Sequence, residues 1–71
     1  MNDDGLLDDE SIRARISELR QEHHDLDAAV SALEGLARPD QLLIARIKKR
    51  KLALRDEIQR LEDQIHPDII A

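Results

Sequence analysis

The chain has 71 residues, no cysteine, no aromatic residue and a net charge of −5. That length allows one small domain, and the missing cysteines exclude a disulfide framework, a thiolate nucleophile and a cysteine zinc site. The acidic balance argues against a surface given over wholly to nucleic acid, while the high charge and the abundance of Leu, Ala, Glu, Arg and Lys fit long helices or a coiled coil.

Met1–Leu7, with Asn2, Asp3, Asp4 and Gly5, has no apolar periodicity and reads as a mobile tail. It lacks the basic start and long apolar stretch of a signal peptide. Small disulfide-free domains suit the cell interior, so a cytoplasmic location is expected. No apolar run approaches the roughly 20 residues needed to span a bilayer. The helical hairpin is predicted over 8–66. Asp8 is a candidate N-cap, with Asp9 and Glu10 in the first turn, where acids complement the exposed N–H groups. The first helix is predicted over 8–36, because Gly35 suits an ending. Ala37–Asp40 is a connection, since Pro39 disfavours helical geometry at Arg38. Either Pro39 opens the second helix or Asp40 caps it. That helix is predicted over 41–66, stopping at Pro67, and 67–71 is a C-terminal tail.

Seam positions, apolar at all but His23 and Lys51, recur at threes and fours through both helices: Ile12, Ile16, Leu19, His23, Leu26, Val30, Leu33, and then Ile44, Ile47, Lys51, Leu54, Ile58, Leu61, Ile65. The second run mirrors the first. Ile12 pairs with Ile65, Ile16 with Leu61, Leu19 with Ile58, His23 with Leu54, Leu26 with Lys51, Val30 with Ile47, and Leu33 with Ile44. In heptad terms every such layer matches an a position with a d position. This is the layer geometry of an antiparallel two-helix coiled coil, and a connection this short requires antiparallel neighbours. The fold class is therefore all-α, an antiparallel two-helix coiled-coil hairpin. One apolar stripe per helix is a small core, so self-association or docking on a partner is expected. Leu42, Leu43 and Leu52, with Ala45 and Ala53, form an extra apolar set on the second helix. Leu6, Leu7, Ile69 and Ile70 gather at the open end. Either set is a candidate contact surface.

Beside the seam, Arg13 with Glu62 and Asp27 with Lys48 are expected to attract. Arg20 with Arg55 and Glu22 with Glu57 are expected to repel, and Leu36 should meet Leu43 near the turn. Exposed pairs are worth about 0–1 kcal/mol each, so the seam sets the register.

Three groups invite a chemical reading. His23 and His24, among Glu22, Asp25 and Asp27, resemble metal ligands in type, but the two histidines are adjacent, and only weak coordination, by His23 with Asp27 or by Glu22 with Glu57 across the seam, is expected. Ligands on a helix sit three or four residues apart, and adjacent side chains point about 100° apart. His23 reads better as a polar layer opposite Leu54, with Glu22 and Glu57 close enough to bond its ring. Lys51 is the neighbouring polar layer. Its stem can lie on Leu26 while its ammonium reaches Asp27 or Glu22. Such layers penalise slipped registers. A catalytic lysine needs a desolvated pocket, which two helices do not offer. No glycine-rich phosphate loop and no triad around Ser11, Ser17 or Ser31 is present, so the chain reads as non-enzymatic, without metal or cofactor. The third group is the basic stretch Arg46, Lys48, Lys49, Arg50, Lys51 and Arg55. It suggests nucleic acid as an alternative partner. No aromatic is available to stack on bases, and mirror pairing brings part of the stretch near Glu22, Asp25 and Asp27.

Two elements carry a family resemblance. E-H-x-x-L-D stands at Glu22, His23, Leu26 and Asp27. The run Lys48-Lys49-Arg50-Lys51-Leu52-Ala53-Leu54-Arg55-Asp56-Glu57-Ile58 follows in the second helix. From Ile12 to Ile65 the chain resembles the YdcH-like family of small bacterial proteins of unknown function. It departs from the family pattern mildly, with Ile47 where Leu is usual and Arg55 where Lys is usual. The resemblance implies a helical hairpin in a cytoplasmic bacterial protein, and no catalytic residue. It singles out Glu22, His23, Asp27, Lys51, Asp56 and Glu57, on or beside the polar layers. The function expected is a small protein-interaction module acting by helix-face packing and self-association, through an unknown protein partner. The alternative is a nucleic-acid accessory protein.

Overall fold

The computed structural model describes residues 8–65. Helix α1 spans Asp9–Glu34 and helix α2 spans Gln41–Ile65. They pack against each other as a helical hairpin, the architecture that the mirrored spacing predicts.

Both helices begin on an aspartate. Asp8 is extended, its carboxylate accepts the Ser11 N–H at 2.7 Å, and its carbonyl accepts the Ile12 N–H at 3.1 Å. Asp40 does the same for α2, accepting from Leu43 N–H on its side chain and from Ile44 N–H on its carbonyl, both at 3.0 Å. Asp40, not Pro39, therefore caps α2. Each cap satisfies donors that the first turn of a helix leaves without partners.

Helix α1 stops at Glu34, two residues short of the expected Leu36. The hydrogen bonding tightens there. Gly35 N–H donates to Ser31 and Ala32 carbonyls, and Leu36 N–H donates to Leu33. The chain then turns over Gly35–Pro39. Gly35 keeps a right-handed backbone, φ −82° and ψ −5°, so the ending does not use the left-handed region open to glycine. The apolar spacing that continues to Leu36 could not reveal this tightening. The terminal segments 1–7 and 66–71, with the contact candidates Leu6, Leu7, Ile69 and Ile70, lie outside the described residues.

All fourteen seam residues are buried or half-buried. Among the other described residues, only Glu22, Ala29, Pro39, Glu57 and Glu62 are half-buried, and none is buried. The buried core is Ile12, Ile16, Leu19, Val30, Ile44 and Leu54, of which Leu19 and Leu54 are fully enclosed. The remaining seam members, including His23 and Lys51, keep one flank open, because two helices enclose a line of contact and not a volume.

The charged flanks differ from the expected pairing. Arg20 pairs with Glu62, Arg50 with Glu22 at 3.1 Å, Lys48 with Glu34 at 3.3 Å, and Arg15 with Glu57 at 3.7 Å. The expected Arg13–Glu62 and Asp27–Lys48 attractions give way to these. The expected repulsions, Arg20 with Arg55 and Glu22 with Glu57, are relieved in the same way. A flank residue lies between two partners one heptad apart on the facing helix, and each of these long side chains takes the partner of opposite charge. Arg15 also bonds Glu18 one turn along α1, at 3.2 Å.

Candidate functional site

The two polar layers sit side by side near the middle of the hairpin. Leu54, 0% exposed, lies on the α2 side of the first layer. His23, the α1 member of that layer in the predicted pairing, is half-buried. Among the described residues the His23 ring makes no hydrogen bond. Glu22 and Glu57, expected to bond it, are engaged elsewhere, Glu22 by Arg50 and Glu57 by Arg15. Opposite charge draws the carboxylates outward along the flanks, away from the seam. His24 is exposed beside it.

In the second layer Lys51, its side chain 22% exposed, directs its ammonium to the carboxylate of Asp27. Asp27 is one of the two acids, with Glu22, that the spacing puts within reach of the ammonium. The bond from Lys51, and then its charge, hold the Asp27 carboxyl below the ordinary carboxylate range. The lysine is thereby satisfied across the seam.

Open grooves run beside these layers. One of about 480 Å³ is lined by His23, Lys48, Lys51, Leu52 and Arg55. It adjoins a second of about 330 Å³ that includes Arg20, Ile58 and Glu62. Another of about 530 Å³ lies at the open end between Ile16, Arg20 and Ile65. Among the described residues no three of His, Asp and Glu gather as ligands for a metal ion.

The basic stretch divides. Lys48, Arg50 and Lys51 pair with acids of α1. Among the described residues Arg46, Lys49 and Arg55 have no ion pair. The family-motif acid Asp56 is exposed and likewise without one among the described residues. Of the apolar candidates, Leu42, Leu43 and Leu52 are exposed, and so is Leu36, the expected neighbour of Leu43. Ala45 and Ala53 are exposed as well. Arg15 and Glu34 emerge as partners of the motif residues Glu57 and Lys48, and Arg20 as the partner of Glu62, pairings that sequence reasoning missed. The signal available was that each has an opposite charge one heptad away from its nearest facing position.

Residues 16–62 match the model of a family described as protein of unknown function (DUF465). No curated protein and no solved structure matches the chain.

Proposed function

The chain belongs to the DUF465 family, and from that premise we propose that it is a small, non-enzymatic protein-interaction module working by helix-face packing and self-association. The YdcH-like resemblance agrees with this membership, since both of its elements fall inside the matched span. One observation carries the reading. Leu52, 58% exposed, and Leu42, 64% exposed, stand on α2 outside the seam. Two large apolar side chains held in water on a helix whose other face is already packed suit a further helix laid against them. The ion pair of Lys51 with Asp27 across the seam suits a lysine that sets register. No described helix is long and apolar enough to cross a membrane. We place the module in the cytoplasm on the resemblance and on the lack of cysteine.

Light scattering on the chain at increasing concentration, with capture by a tagged copy, tests the reading. Leu42→Asp and Leu52→Asp together are expected to abolish whatever association the wild type shows. Association unaffected by both changes would place the contact elsewhere. Neither self-association nor capture in the wild type would end the reading.

Arg46, Lys49 and Arg55, unpaired among the described residues, favour the second reading, a nucleic-acid accessory protein. A salt titration of binding to duplex DNA separates the two, because phosphate contacts weaken steeply as salt rises. No affinity at low salt removes the alternative.

A further inference from the structure

The outer face of α2 carries a charge pattern that is complementary to itself. Ala45, Lys49, Asp56 and Arg60, with Leu52 and Ala53 each three or four residues from both Lys49 and Asp56, share the side of the helix away from Ile47, Lys51, Leu54 and Ile58. All six are exposed. Lys49 has no acid three or four residues away on α2, and among the described residues neither Lys49 nor Asp56 has an ion pair. The midpoint between them falls between Leu52 and Ala53, the apolar centre of the face.

We propose that this face is the contact between two copies of the chain. The two α2 helices run antiparallel about a two-fold axis between Leu52 and Ala53. Each Lys49 then faces Asp56 of the second copy. Leu52 packs beside the second copy's Ala53, and Ala45 leaves room for the stem of the second copy's Arg60. A two-fold contact must match a surface to itself, and this one does so only in the antiparallel sense. Parallel helices would set Lys49 against Lys49 and Asp56 against Asp56. The small side chains of Ala45 and Ala53 let the helices approach closely. The exposed leucines at the turn, Leu36 and Leu43, have no such charge pattern beside them to select an occupant. The inference rests on the interaction-module reading and names its partner, a second copy. One helix face is narrower than a standard interface, so the dimer is weak, of micromolar affinity or weaker.

Sedimentation of the full chain at rising concentration tests it. The wild type is expected to dimerise. Lys49→Asp and Asp56→Lys should each weaken dimerisation by about tenfold, since each change turns two attractions into two repulsions. Combining both changes in one chain should restore it. Mixing the two single variants should yield a heterodimer tighter than either homodimer, because every facing pair is then opposite in charge. Unchanged helical circular dichroism in the singles confirms that the hairpin is intact; were a single to unfold, the double variant's return to wild-type dimerisation decides the matter alone. A monomeric wild type, singles without effect, or a double variant without rescue would each overturn the proposal. A wild-type dimer indifferent to these charges but lost in the Leu42, Leu52 pair would leave the broader reading standing.

Discussion

Leu54 and His23 share a layer but not a fate. Leu54 is fully enclosed, so Leu54→Ala should cost about 2–4 kcal/mol, through lost burial and the cavity left behind. Urea melts check this, and a loss under about half a kcal/mol would mean that the seam is loose there. His23 is half-buried, with no hydrogen bond among the described residues. Replacing it with leucine should raise stability by about 1 kcal/mol, the gain from added apolar burial without a lost bond. The neighbouring layer behaves differently, because Asp27 is held ionised by Lys51. A carboxyl depressed in the folded state adds stability above its unfolded pKa of about 3.9, and that stability disappears as pH falls through the folded value. Thermal melts from neutral pH into the acid range should therefore show a steeper loss for the wild type than for Lys51→Met. Parallel pH profiles would show the bond to be without energetic weight. The polar layers were legible as residues in the sequence. Their bonding was legible only for Lys51, whose acid stands one position beyond the facing leucine. It was not legible for His23, because the carboxylates expected there were drawn off by arginines.

The helices are bounded by devices that differ in how openly the sequence displays them. An aspartate ahead of an apolar period announces a cap, and Asp8 and Asp40 both act as one. Asp40→Ala should cost about 1 kcal/mol by leaving the Leu43 N–H without its acceptor; a change within error in chemical melts would show water substituting fully. Gly35 announces an ending, yet its backbone is right-handed and a Cβ there would meet only the Ser31 and Ala32 carbonyl oxygens at 3.6 Å, ordinary contact distances. Gly35→Ala should therefore stabilise the hairpin by about 0.4–1 kcal/mol, by restricting the unfolded chain. Destabilisation in the same melts would mean that the ending needs glycine's freedom after all. The ion pairs along the flanks follow a rule of the element too. Each helix offers a facing side chain two partners, and charge selects one. Because such pairs are exposed and worth little singly, their choice decides specificity more than stability.

At the scale of the whole molecule, the seam leaves as many apolar residues half-buried as buried, and α2 presents leucines and a self-complementary charge pair on its free side. A chain that dimerises through that side should melt at a temperature that rises with its concentration, since mass action stabilises whatever the folded form binds. A concentration-independent midpoint across the range where sedimentation finds dimer would contradict a coupling of folding to assembly.

The antiparallel hairpin, its layers and the Asp8 cap follow from the sequence by itself, because the mirrored period of apolar residues is satisfied only when the chain doubles back at Pro39. Only the tertiary structure decided which acid answers which base, and which leucines stay in water. Those outcomes depend on how far long side chains reach between two candidate partners, and on which flank of a two-helix seam remains open. A one-dimensional spacing cannot encode either.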